Sequence, residues 1–366
     1  MIKIFYDHQK FSTQKYGGIS RYFANLLEAI EDAEEFEYVL GVFYSTNHYL
    51  QQKPWFLDNV LAERLLESEH SRKIFKINEH YSKHILGKNN FDIFHPTYYD
   101  PYFLERLNKP LVTTIHDMTY ERLPEYFWAN DPLTFHKRLS VEHADKIIAI
   151  SETTKNDILQ YTTAKPEQIH VVYHGIDCET PLTFATMPEL PESYLLYVGD
   201  RSGYKNFYLF MNAYSKIKEK YPDLQVILTG GGRLGIADME LIKRLKIGDQ
   251  VTHLSASDEQ LNTLYQKALF FVYPSLHEGF GLPILEAFKA QCPMLLSDTD
   301  CFREIAADAA EFFNPRDLDH LVHSITDLIT NESRRRELVV KGNARLLHFP
   351  IKKSTDETFA VYKTLA

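Results

Sequence analysis

Short apolar runs alternate with longer segments of helical period along almost the whole chain. The first series is Ile2–Tyr6, Tyr38–Tyr44, Phe91–Phe94, Leu111–Ile115, Lys146–Ile150 and Ile169–Tyr173. A second series is Tyr194–Val198, Gln225–Thr229, Val251–Leu254, Phe270–Tyr273, Pro293–Leu296 and Ala310–Phe312. Apolar runs of this length, separated by helices, predict buried parallel strands joined by crossover connections. Two such series predict an α/β protein with two Rossmann-like, doubly wound parallel sheets.

The break between the series falls at Cys178–Pro191, where Pro181, Pro188 and Pro191 stand among short polar residues. Each proline disfavours helix at the residue before it and removes a sheet donor, so the stretch reads as a linker. The expected division is a first domain over 1–178, a linker over 179–191 and a second domain over 192–350. A last segment, Lys353–Leu365, is helical by pattern and follows Pro350.

Composition narrows the function classes. The chain has 40 basic and 50 acidic side chains, a formal charge of −10, with most of the acidic excess before residue 189. A nucleic-acid binder needs a net basic face, so nucleic acid is not an expected partner. The 23 Tyr and 24 Phe supply large cores and rings for stacking on bases or sugars. Cys178, Cys292 and Cys301 are too few and too scattered for a disulfide framework or a zinc site. The opening Met1–Tyr6 reads as a strand rather than a signal peptide, and no apolar run is long enough to span a membrane. A soluble protein in the reducing cytoplasm is the expectation.

The chemistry concentrates in Tyr273-Pro-Ser-Leu-His-Glu-Gly-Phe-Gly-Leu-Pro-Ile-Leu-Glu-Ala287. A strand ends at Tyr273, a glycine loop follows, and a helix opens near Leu282–Pro283, where proline suits the first turn. The glycines let backbone N–H groups approach a ligand at a helix end that attracts negative charge. Glu278 and Glu286, eight residues apart, are strong acceptors for hydroxyl donors, one for a sugar and one for a second polyol such as ribose.

This Glu-x7-Glu segment closely resembles the donor-site signature of retaining GT-B glycosyltransferases, the family 4 type that includes O-antigen and capsule mannosyltransferases. The resemblance implies that Glu278 contacts the donor sugar and Glu286 the ribose. The backbone of Gly279, Phe280, Gly281 and Leu282 would hold sugar and phosphate. It also implies two domains facing a cleft, with helix 351–366 crossing back to the first. The family often has a Trp before that helix; here the stretch reads Leu347-His-Phe-Pro-Ile351.

Tyr197-Val-Gly-Asp-Arg-Ser-Gly-Tyr-Lys-Asn206 matches the family segment whose Arg and Lys neutralise the donor diphosphate in place of a metal. By that resemblance Arg201 and Lys205 take the role. Thr229-Gly-Gly-Gly-Arg233 is either a turn or a ligand loop, with Gly231 and Arg233 as nucleobase-wall candidates. Ser255, in His253–Ser257, matches the region whose backbone meets the base. In the first half, Gly17 and Gly18 resemble the loop near the donor phosphates and are equally readable as a strand-to-helix turn. His116, in Thr114-Ile-His-Asp117, resembles the family's histidine beside the donor sugar, with Asp117 on the acceptor side. Val171–Asp177 resembles the segment that closes the first domain.

Other signals stay structural. Asp298-Thr-Asp300 has the look of a metal-binding Asp-x-Asp but occupies a variable loop of the family before Glu304. His80 and His84 have zinc-face spacing and no evident third ligand. Residues 64–88 carry Arg64, Arg72, Lys73, Lys76, Lys83 and Lys88 with Phe75, Tyr81 and Ile85 among them, and glutamates dilute the basic character. A solvated amphipathic helix is favoured there, while the family also uses such faces for peripheral membrane contact at the inner face.

The expected function is metal-independent, retaining transfer of a hexose to an acceptor hydroxyl in cell-surface polysaccharide synthesis, with no cofactor beyond the nucleotide sugar. GDP-mannose is the leading donor and a UDP-sugar the next, with a saccharide or lipid-linked saccharide as acceptor. The alternatives are a sugar-nucleotide epimerase or phosphorylase of the same architecture, and a non-catalytic nucleotide-sugar-binding partner of another transferase.

Overall fold

A computed structural model of the chain describes residues 1–51 and 71–366. It divides into two units, Met1–His174 with Lys352–Ala366, and Gly175–Ile351.

In the first unit, β1 (Ile2–Tyr6) lies between β2 (Phe36–Leu40) and β3 (Ile93–His95). A second trio places β5 (Lys146–Ala149) between β4 (Val112–Ile115) and β6 (Ile169–Val171). All pairings are parallel, and a parallel bridge between Phe94 and Leu111 joins the trios. β4 is buried along its whole length, which explains its unbroken apolar run: both faces are covered.

The helix Gly18–Glu31 buries Tyr22, Phe23, Leu26, Leu27 and Ile30, a three-to-four spacing that makes one face. The helix Ile351–Lys363 enters the same core. Phe359 stacks on Phe36 with centroids 4.6 Å apart, and the Tyr362 hydroxyl meets Tyr6 Oη at 2.7 Å and His95 Nδ1 at 2.6 Å. Those contacts satisfy polar groups that burial would otherwise leave costly.

The second strand was expected at Tyr38–Tyr44 and lies at Phe36–Leu40. The chain leaves the sheet at Gly41, packed against Phe5 and Ser82. Beyond it Asn78 Oδ1 accepts the N–H groups of Phe43 and Tyr44, so a side chain replaces the ladder.

The second unit holds one six-stranded parallel sheet, in the order β12-β11-β10-β7-β8-β9. Its strands are β7 (Tyr194–Val198), β8 (Gln225–Thr229), β9 (Val251–Leu254), β10 (Phe270–Tyr273), β11 (Met294–Ser297) and β12 (Glu311–Phe313). From β7 the chain steps outward through β8 and β9, then returns to β10 on the other side. The strand order therefore reverses between β7 and β10, and the crevice beyond their carboxyl ends is where open α/β sheets bind ligands. The Pro-rich stretch lies along this unit: Ala185 N–H donates to Glu259 O and to Thr263 Oγ1, both on the helix Asp258–Lys267.

Candidate active site

Both loops at the reversal carry charge. After β7, residues Gly203–Lys205 form a 3-10 turn that ends at Asn206, whose backbone is left-handed with φ 58°. After β10, the loop to Gly281 brings Glu278 opposite. Lys205 Nζ lies 2.6 Å from Glu278 Oε1, and both side chains are 14% exposed. Burial alone would lower the Lys205 pKa, but the Glu278 charge and neighbouring Tyr273 and Tyr204 outweigh it and hold it well above the usual lysine value. Leu276 N–H donates to Tyr204 O, tying the two loops by backbone as well.

Gly281, with φ 94°, caps the helix Leu282–Lys289, with a proline in its first turn. A side chain there would meet the left-handed backbone penalty and crowd Ile284 and Phe302. Phe280 is buried, and its carbonyl accepts from Cys301 Sγ. Glu286, one turn into the helix, accepts from Tyr265 Oη at 3.4 Å. Lys205, Glu278 and the Gly279–Leu282 backbone thus lie on one rim, with Glu286 further along the helix and bonded to Tyr265.

Arg201 is on the same rim but turned aside. Its Nε donates to Asp238 Oδ2 at 2.9 Å, Nη1 to Gly230 O, and Nη2 to the carbonyls of Gly231, Gly232 and Arg233. Its side chain is 6% exposed. Gly231 is pressed against Asp200, where an added Cβ would come within 2.4 Å of the Asp200 Cα. The Arg233 side chain and Ser255 are exposed.

In the first unit, His116 follows β4 and is 7% exposed. Its ring stacks on His174 with centroids 5.9 Å apart and meets the edge of Tyr22 at 5.6 Å. Neither ring nitrogen has a hydrogen-bond partner among the described residues. Burial first, then the neighbouring His174, pushes its pKa well below the ordinary value, so the ring is neutral. Asp117 Oδ1 accepts Thr119 N–H and its carbonyl accepts Lys137 Nζ. Gly17 and Gly18 open the helix Gly18–Glu31, with Gln14 Oε1 taking Ser20 N–H.

Two family models match the chain, Glycosyltransferase Family 4 over residues 16–180 and Glycosyl transferases group 1 over residues 184–345. The chain belongs to glycosyltransferase family 4. It is a glycosyltransferase of GT-B fold. O-antigen chain mannosyltransferase B of Escherichia coli is 29% identical over 293 residues, covering 75% of this chain and 74% of that protein. O-antigen chain mannosyltransferase RfbU of Salmonella typhimurium is 30% identical over 207 residues, 56% of each. Among solved structures, sucrose-phosphate synthase of Thermosynechococcus elongatus aligns with TM-score 0.76 and 18% identity, over 100% of this chain and 99% of that one. Anabaena HepE, in complex with UDP and glucose, aligns with TM-score 0.75 and 16% identity over 100% of both.

Some features of this glycosyltransferase have no clear sequence signature. Lys10, just after β1, sits with its ammonium 3.4 Å over the Tyr98 ring, and burial lowers its pKa to about 8 against the opposing pull of Asp117. It belongs to none of the motifs, so only its position beyond β1 points to it. Asp298 is taken up by Arg303, at 2.6 and 2.9 Å, which gives the Asp-x-Asp a structural partner. His80 and His84 are exposed on the helix Ser71–Lys88, and Arg64 lies outside the described residues. No described helix is long and apolar enough to cross a membrane.

Proposed function

We propose that this glycosyltransferase moves a hexose, with retention and without a metal, from a nucleotide sugar to a saccharide or lipid-linked saccharide hydroxyl. Mannose from GDP-mannose is the leading donor and a UDP-sugar the next, in cell-surface polysaccharide synthesis on the cytoplasmic side of the membrane. The observation that carries the reading is the Lys205–Glu278 pair at the strand-order reversal of the second unit. The mannosyltransferase names of its relatives favour the sugar.

On this reading the ammonium of Lys205 and the helix N-terminus at Gly281–Leu282 stabilise negative charge as the diphosphate leaves. Glu278 accepts from hydroxyls of the donor sugar, and Glu286 from the ribose. In the first unit, neutral His116 offers ring nitrogens to a sugar hydroxyl, Asp117 serves the acceptor, and the Gly17–Gly18 turn serves phosphate. No side chain is assigned as nucleophile; a donor phosphate oxygen takes the acceptor proton. Peripheral membrane contact draws support from the helix Ser71–Lys88, which exposes Arg72, Lys73, Lys76 and Lys88 beside Ile77 and Tyr81.

The test is thermal unfolding with GDP-, UDP-, dTDP- and ADP-sugars in EDTA. A ligand at about 100 times its dissociation constant adds about 2.7 kcal/mol. A shift for one base that disappears in Glu286→Ala is expected; no shift with any donor would remove the reading.

A further inference from the structure

The carbonyls of Gly230, Gly231, Gly232 and Arg233 converge on one guanidinium. They can do so because three successive glycines have φ of 81°, 65° and 71°, a left-handed turn open to residues without a Cβ. Four converging carbonyl dipoles repel one another unless a cation sits among them. Arg201 is that cation, fixed from behind by Asp238, whose Oδ2 also accepts Gly235 N–H and so ties the far end of the same loop.

The consequence follows from peptide geometry. In a trans peptide the C=O and N–H point in opposite directions, so carbonyls gathered inward send the N–H groups of Gly231–Leu234 outward. None of those N–H groups has a protein acceptor among the described residues. Triple glycine is also the loosest backbone a chain can have, so this display persists only while something holds it.

We propose that Arg201 is a positioning residue that holds loop 230–233 as a wall of N–H donors for the nucleoside part of the donor, leaving the diphosphate charge to Lys205. This rests on the donor-site reading above and departs from the role that family resemblance gives Arg201. A guanidinium 6% exposed, bonded to four carbonyls and a carboxylate, is held by the protein rather than offered to a ligand. A lysine could not substitute, because its compact ammonium lacks the planar fork that reaches several acceptors at once.

Titration calorimetry with GDP and GMP, and with UDP and UMP as the second pair, separates the roles. Arg201→Ala is expected to weaken diphosphate and monophosphate by the same factor, about tenfold, since the loss is of charge-assisted hydrogen bonds that shape the loop. The ratio of the two affinities then stays at the wild-type value. Lys205→Ala is expected to collapse that ratio. Arg201→Lys recovers nothing, and Asp238→Ala, which keeps the arginine but removes its anchor and the acceptor of Gly235 N–H, weakens both nucleotides by a common factor. A collapsed ratio in Arg201→Ala, recovery in Arg201→Lys, or full affinity in Asp238→Ala would each overturn the proposal while leaving the donor site standing. Failure of the wild type to bind either pair would instead remove the donor-site reading, and this inference with it.

Discussion

Lys205 Nζ and Glu278 Oε1 stand 2.6 Å apart, a cation from the loop after β7 paired with a carboxylate from the loop after β10. The pair is largely buried, so removing one partner leaves the other charge uncompensated. Lys205→Met and Glu278→Gln are each expected to destabilise the protein by about 2 kcal/mol, while the double variant recovers most of that loss. Urea unfolding of the three variants checks it. Activity behaves differently: each single variant loses about 100-fold or more in kcat, and the double variant does not regain it.

Gly231→Ala places a Cβ on backbone that has no room for it, 2.4 Å from the Asp200 Cα, at a positive φ. The loop must shift away from β7, and donor KM is expected to rise about tenfold or more, with a smaller change in kcat. Steady-state kinetics at varied donor concentration measures it.

Acid is expected to destabilise the first unit through its buried histidines. His95 is fully enclosed and His174 nearly so, and burial depresses both pKa values to about 3. The unfolded chain protonates them below the ordinary histidine value while the folded chain does not, so their stabilisation is present above that value and lost as pH falls. Between neutrality and about pH 5.5 each costs about 1 kcal/mol. The urea midpoint should fall over that range, and His174→Asn should flatten the fall.

The C-terminal helix is held to the first unit by Phe359 on Phe36 and by the Tyr362 hydroxyl. Phe359→Ala is expected to cost about 3 kcal/mol, and Tyr362→Phe about 1–3 kcal/mol because Tyr6 and His95 lose a buried partner. Thermal unfolding of both variants measures these losses.

The strands were legible because their limits are local. β7 stops at Gly199, β8 at Gly230 and β10 at Pro274, and those bounds coincide with the apolar runs. β2 was displaced because Asn78, from a helix far along the chain, captures Phe43 and Tyr44. The glutamates and Lys205 were named from their motif. The bonds of Arg201 were not, since they depend on the conformation of three glycines about thirty residues away and on Asp238. Lys10 escaped because its neighbours Tyr98 and Asp117 come from separate strand ends.

The most direct test of the central claim is NMR of the product formed from GDP-mannose and an O-antigen-type saccharide acceptor in EDTA. A new mannosidic bond with the donor's α configuration is the predicted result. A β-linked product, donor turnover that needs no acceptor, or donor binding with no transfer across a broad acceptor panel would contradict it.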